Sequence, residues 1–208
     1  MSENLEAEAA FDPWLPGDNL TRVYDWKEVF GNEHPVEVEL GAGDGSFIVE
    51  WARRHPEHNF VALERLLGRV RKIAKRALRE DLPGLRALRL ESGYFLKYLC
   101  PEGSVSAIHF MFPDPWPKRK HHKNRLVQPE FIESCRKVLK PGGVFRFTTD
   151  HQDYFLWTTR LWREAEGWEE LGEWDASGDP KSDFEIEFEK EGRAVYRMVW
   201  RKGTGGNE

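Results

Sequence analysis

The sequence predicts a doubly wound α/β domain, with a mostly parallel sheet, helices on both faces and an antiparallel C-terminal strand. Three observations carry that reading. Five short apolar segments alternate with segments of helical pattern between residues 36 and 165, which implies βαβ units with right-handed crossovers. A glycine-rich loop, Gly41-Ala42-Gly43-Asp44-Gly45, joins the first of these strands to the helix after it. The last two β-like segments, around Trp168 to Trp174 and Ala194 to Trp200, have a polar loop and no helix between them. Such a pair is compatible with antiparallel pairing at the edge of a parallel sheet.

In order along the chain, residues 1–20, with Pro13, Pro16 and Gly17, read as an irregular arm ahead of a single domain over 21–202, and 203–208 as a disordered tail. Leu20 to Phe30 is expected to form a short helix that Gly31-Asn32 breaks. Val36 to Leu40 is the first strand and Ser46 to Arg54 the first crossover helix; Asn59 to Leu63 is the second strand, followed by a basic helix from Leu67 to Glu80. Leu85 to Leu90 is a weaker third strand, with a helix near Tyr94 to Leu99, and Val105 to Phe112 is a buried fourth. Phe131 to Leu139 is helical and stops at the turn Lys140-Pro141-Gly142-Gly143; Val144 to Thr149 is the fifth strand, and a helix runs on to about Ala165.

At 208 residues the chain suits one domain, long enough to bury about 70% of its unfolded surface. Hydrophobic residues at 39%, with nine Trp, supply a core and exclude full disorder. Cys100 and Cys135 form no CxxC or zinc pattern, so a reducing, cytoplasmic setting without disulfides or a metal site is expected. No apolar run approaches the roughly 20 residues that span a bilayer, and Met1 to Ala10 carries three Glu and no Lys or Arg, unlike a signal or transit peptide. The net charge of −5 argues at first against a nucleic-acid partner. Its distribution argues the other way. Seven cations and no acid lie in 65–79, and Lys118, Arg119, Lys120, Lys123 and Arg125 follow with no acid among them, whereas 164–191 holds twelve acids. A chain polarised in this way can present a basic face while remaining acidic overall.

The glycine loop opens a helix directly after a strand, where backbone must turn sharply and approach a ligand closely. Its GxGxG spacing is not the GxGxxG of dinucleotide-binding proteins. Glu64 closes the second strand, about where a ribose-binding acid is expected, and Glu39 stands just before the glycines. Two acids around a nucleoside pocket suit S-adenosylmethionine, which carries a sulfonium and an ammonium, better than a pyrophosphate. A solvated strand face is the plain alternative for Glu39, but a central parallel strand has no such face. After the fourth strand comes Phe112-Pro113-Asp114-Pro115-Trp116-Pro117 and then the second basic run. Ligands bind at the carboxyl ends of parallel strands near the topological switch point, so Asp114 is expected opposite the glycine loop. Trp116 offers a face for stacking a base, and the five cations after it are placed to meet phosphates.

Phe112 to Leu126 resembles, nearly residue for residue, the signature of the bacterial tRNA (guanine-N7)-methyltransferase family. The similarity begins at Asp25-Trp26 and Phe30-Gly31-Asn32, continues through Glu39 to Gly43 and Thr149-Asp150, and returns at Ser182 to Glu185. It implies a Rossmann-like methyltransferase fold, S-adenosylmethionine as cofactor, and methylation of a variable-loop guanosine of tRNA; a monomer or homodimer is expected. By the same resemblance Glu39, Gly41, Gly43, Glu64, Ser92 and Asp114 are cofactor-binding positions, and Asp114 is also the active-site acid. Lys118, Asp150, Ser182, Asp183, Phe184 and Glu185 match positions for the tRNA substrate. Two departures stand out: Glu91-Ser92-Gly93 replaces the family's Asn or Asp after the third strand, leaving Glu91 and Ser92 both open as the adenine contact, and Ser182 replaces a Thr.

Three other functions compete. Methyltransferases of exocyclic amines carry an Asn/Asp-Pro-Pro-aromatic motif at this place, whereas the order here is Pro-Asp-Pro-Trp. A non-catalytic RNA-binding protein of the same fold has no need of Glu39, Gly41, Gly43, Glu64 and Asp114 together. A dehydrogenase is disfavoured by the glycine spacing.

Overall fold

Every residue of β1 (Val36–Leu40) and β2 (Asn59–Glu64) is buried, as happens only where helices cover both faces of a parallel sheet. The structure, a computed structural model, describes residues 11–15 and 20–204. Its sheet has seven strands in the order β3-β2-β1-β4-β5-β7-β6, with β3 at Leu85–Arg89, β4 at Val105–Met111, β5 at Leu139–Thr149, β6 at Trp168–Gly172 and β7 at Tyr196–Lys202. The first five are parallel, and β7 runs antiparallel to both of its neighbours. The order reverses between β1 and β4, so the loops after these strands share one crevice.

Helices α2 (Ser46–Arg54) and α3 (Leu67–Arg79) cover one face of the sheet through Phe47, Ile48, Val49, Val70 and Ile73. The other face carries α5 (Pro129–Val138) and α6 (Gln152–Glu164), with Phe131, Cys135, Tyr154 and Trp162 in its core. There Trp162 stacks between Phe145, 4.3 Å away, and Trp200, 4.8 Å away. Cys100 and Cys135 are free and buried, and no helix among the described residues is long and apolar enough to cross a membrane.

The expected elements from β1 to α3 sit within a residue of their observed bounds. Other segments differ, each for a visible reason. The helix expected from Leu20 to Phe30 is confined to α1 (Trp26–Phe30), because the Asp25 side chain caps it by accepting from Lys27 N and Glu28 N. The helix near Tyr94 is a single turn, α4 (Ser92–Tyr94), that widens into a π-turn over Phe95–Leu99. The turn at Lys140 to Gly143 is taken up within β5 as an irregularity, where partners shift from Val105↔Leu139 to Ala107↔Val144. The polar loop expected between the last two strands contains a helix, α7 (Asp183–Lys190). Ser182 caps it by accepting from Glu185 N at 3.2 Å, so Ser182-x-x-Glu185 is half of a capping box. Of the arm, residues 11–15 are described: Leu15 N donates to Ala87 O and Ala87 N to Pro13 O, which covers the open edge of β3. Residues 1–10 and 16–19 of the arm and 205–208 of the tail lie outside the described residues, and Gly203 is held by a hydrogen bond to Gly167 O.

A buried polar cluster ties β1 to β4 beneath α2. Glu37 accepts from Trp51 Nε1 at 2.9 Å, His109 Nε2 at 2.6 Å and His58 Nδ1 at 2.6 Å. Burial pushes the Glu37 carboxyl up, but these three partners together outweigh it and hold the group well below the usual range. Burial also holds His109 below its ordinary value, so a neutral ring donates to a carboxylate. The folded pKa of Glu37 is depressed, so its contribution to stability is present above the unfolded value of about 4.3 and is lost as pH falls through and below it. Glu37→Gln preserves shape and removes the charge; urea unfolding between about pH 6 and about pH 3 should show a flatter acid limb for the variant. Parallel acid limbs would contradict the assignment.

Candidate active site

The loop after β1 places three glycines in the left-handed region, with φ of 74° at Gly41, 55° at Gly43 and 76° at Gly45. At Gly45 the requirement is also spatial, since a Cβ there would lie 2.7 Å from the Ile73 side chain of α3. At Gly43 the turn points N–H at Glu64 Oε2, 3.1 Å away. Glu64 Oε1 accepts from Leu66 N at 2.8 Å, and Arg69 on α3 approaches Oε2 at 3.8 Å. The carboxylate is therefore held rigidly at the end of β2, with further lone pairs left for a ligand.

Glu39 is 3% exposed, and its Oε2 is buried with no hydrogen-bond partner among the described residues. Burial, reinforced by the negative Glu64, pushes its pKa up to about 8, so the group is largely protonated at neutral pH. A cation brought to it would restore the charged form. Glu39 lies in the wall of a cavity of about 210 Å³ together with Gly41, Gly43, Arg69, Met111 and Phe184. Ser182 and Asp183 also line it. Helix α7 closes this cavity from the far side: Asp183 N donates to Ser46 Oγ at 2.9 Å, and the Phe184 ring lies 3.9 Å from where a Cβ on Gly43 would be.

Six of the residues singled out from the sequence thus surround one cavity, and Glu64 braces its loop. The others are placed around it. Glu185, also buried, pairs with Arg197; burial raises its pKa, and Arg197 opposes the shift. Beside them lies the buried Thr148, whose hydroxyl has no partner among the described residues. Asp150 pairs with Arg193, whose guanidinium lies 4.0 Å from the centre of the Phe188 ring. These two ion pairs tether α7 to the ends of β5 and β7. Glu91 caps α4 by accepting from Gly93 N at 2.9 Å and Tyr94 N at 2.7 Å. That commitment leaves the neighbouring Ser92 hydroxyl as the freer group.

Asp114 does not line the cavity. It is exposed on a turn that starts just beyond Met111, which does. The turn is strained at both ends, with φ of 49° at Phe112 and 44° at Trp116; non-glycine residues held there cost of order 1–3 kcal/mol each and cluster at functional sites. Trp116 is 37% exposed, with its ring edge-on to His121. Lys118, Arg119, Lys120 and Lys123 are exposed, and no carboxylate among the described residues pairs with them. Arg125 departs from the expectation of a phosphate contact. It is 1% exposed and ion-paired with Asp153, because the rings of Tyr154 and Trp157 pack over its guanidinium. Sequence reasoning missed Arg69, Thr148 and Arg197, whose partners come from distant segments; for Arg69 the signal was its position one residue before the buried stripe of α3.

Residues 33–198 match the family described as "Putative methyltransferase". Among curated proteins, the chain is 34% identical to the tRNA (guanine-N(7)-)-methyltransferase of Geobacter metallireducens, over 99% of both chains. It is 33% identical to that of Enterococcus faecalis, covering 85% of this chain and 84% of the relative. Among solved structures, the 16S rRNA methyltransferase KamB superposes with a TM-score of 0.65 at 19% identity, covering 87% of this chain and 94% of the other. An S-adenosylmethionine-dependent O-methyltransferase from Thermotoga maritima gives 0.57 at 16% identity, over 85% of this chain and 62% of that one. The structural likenesses establish the fold as that of S-adenosylmethionine-dependent methyltransferases, and on the sequence relatives the chain belongs to the bacterial tRNA (guanine-N7)-methyltransferase family.

Proposed function

We propose that this protein transfers the methyl group of S-adenosylmethionine to N7 of a guanine in tRNA, the variable-loop guanosine being the target. The observation that carries this reading is the buried, unpartnered Glu39 oxygen beside a glycine loop braced by Glu64. A neutral ligand would leave that acid without a purpose, whereas a cationic nucleoside satisfies both carboxylates. Glu39 would hold the cationic end of the cofactor, Glu64 the ribose hydroxyls, Gly41 and Gly43 the close-packed backbone side, and Ser92 the adenine. The bound cofactor supplies an electrophilic methyl group.

Guanine N7 has a free lone pair and no proton to lose, so the chain's task is to position the base and manage charge. Asp114 orients the guanine through its N–H edge or stabilises the positive charge that develops on the imidazole ring. Glu185 and Asp150, fixed by Arg197 and Arg193, present acceptors on the α7 side of the crevice. Ser182, Asp183 and Phe184 form the wall between the cofactor cavity and the base. Lys118 and its exposed neighbours, which pair with no carboxylate among the described residues, would hold the RNA backbone. The reading is tested by incubating the protein with unmodified tRNA and methyl-labelled cofactor, digesting the RNA and mapping the label. Label co-migrating with 7-methylguanosine is expected; label on an exocyclic amine would favour the competing methyltransferase class.

Two substitutions test the assigned roles. Asp114→Asn removes one charge from a preorganised site, a change that commonly lowers turnover about a hundredfold. Single-turnover transfer at saturating cofactor and RNA checks this, and a parent-like rate would make Asp114 structural. Replacing Lys118 and Lys123 with Gln should reduce the dependence of log affinity for tRNA on log salt by roughly one to two units. An unchanged slope would place the RNA elsewhere.

A further inference from the structure

Arg125 belongs by sequence to a run of cations that reads as a phosphate-binding patch, yet it is the one member of 118–125 that is fully buried. We infer that Arg125 is a positioning residue: it clamps the Pro113–Trp116 turn, and so sets where Asp114 stands, without touching RNA. The inference rests on the role proposed for Asp114.

The clamp has three parts. Arg125 Nε donates to the carbonyl of Pro115 at 2.9 Å, the residue next to Asp114. Its Nη2 is paired with the carboxylate of Asp153, in the first turn of α6. Its guanidinium lies against Tyr154, 4.9 Å from the ring centre, and Trp157, 5.5 Å away. The turn needs such a hold. Pro113, Pro115 and Pro117 have no N–H to donate, so the loop can tie itself down mainly through its carbonyls. Phe112 and Trp116 meanwhile adopt left-handed backbone that an L side chain rarely keeps unaided. One end is secured by Phe112 N donating to Thr148 O at 2.8 Å. Arg125 secures the other, and α6 secures Arg125: Val127 N donates to Tyr154 Oη, and Trp157 Nε1 to Val127 O at 2.9 Å. A lysine cannot reproduce this arrangement, because its single ammonium nitrogen cannot occupy both the Nε and the Nη2 positions from which the guanidinium reaches Pro115 and Asp153.

A clamp and a phosphate contact predict opposite results for Arg125→Lys. As a clamp, the variant should lose tenfold or more in single-turnover methyl transfer at saturating tRNA and cofactor. Cofactor affinity and the salt slope of tRNA binding should match the parent. Tryptic cleavage after Lys118 and Lys120 without RNA should be faster, since the turn is loosened. As a phosphate contact, Arg125 would be replaced adequately by a lysine of the same charge, so rate at saturation and cleavage would both be parent-like; that result overturns the inference. Asp153→Asn, at a more exposed position, serves if Arg125→Lys fails to fold: it should move rate and cleavage in the same directions, and parent-like values for both would equally overturn the clamp. A parent protein that leaves guanine N7 unmethylated would count against the proposed function alone, because cleavage still reads the clamp.

Discussion

Two carboxylates stand at the ends of adjacent parallel strands, and the arrangement of the pocket follows from the cost of keeping them there. Glu64 is affordable because Gly43 N–H, Leu66 N–H and Arg69 surround it. Glu39 has no such support: an isolated charge in a low-dielectric interior is costly, and the group takes up a proton instead. The glycine loop can turn tightly between the two acids only because its residues tolerate positive φ, and α3 lies close enough behind the loop to exclude a Cβ at Gly45. Neutrality at Glu39 thus follows from its burial beside Glu64, and a ligand cation would restore its charge.

Around this fixed floor the remaining parts are held by long-range ties. Helix α7 reaches over the glycine loop and is anchored through Glu185–Arg197 and Asp150–Arg193 to the ends of the sheet. The strained turn after β4 is held at Phe112 by β5 and at Pro115 by Arg125. The crevice therefore has a rigid cofactor side, built on parallel strands, and a second side whose geometry depends on a few charged contacts. Division of labour in the basic segments matches this: Arg69 and Lys72 of α3 pair with Asp44 beside the pocket, whereas the four exposed cations after Trp116 pair with no carboxylate among the described residues.

What could be read from the sequence was whatever depends on neighbours in the chain. The bounds of β1 and α2 follow from an apolar run that ends in glycines, and the switch point follows from the alternation of strands and helices. The burial of Glu39 followed from its place on a central strand. Helix α7 was hidden because its acidic sequence, with only a weak apolar stripe, looks like a polar loop, although Ser182-x-x-Glu185 signalled its start. Arg125 was indistinguishable from Lys123 because its burial is conferred by Tyr154 and Trp157, which come from α6, beyond α5 and β5. The Glu37 cluster was invisible for the same reason: Trp51, His58 and His109 come from three different elements, and only the sheet brings them together.

The central claim is that Glu39 waits protonated for a cation, and proton release on cofactor binding tests it most directly. Titration calorimetry of S-adenosylmethionine at pH 7, about one unit below the Glu39 value of about 8, should show a binding enthalpy that depends on the ionisation enthalpy of the buffer. The slope should correspond to release of close to one proton and should vanish in Glu39→Gln. An enthalpy independent of buffer in the parent protein, or an equal slope in the variant, would contradict the account.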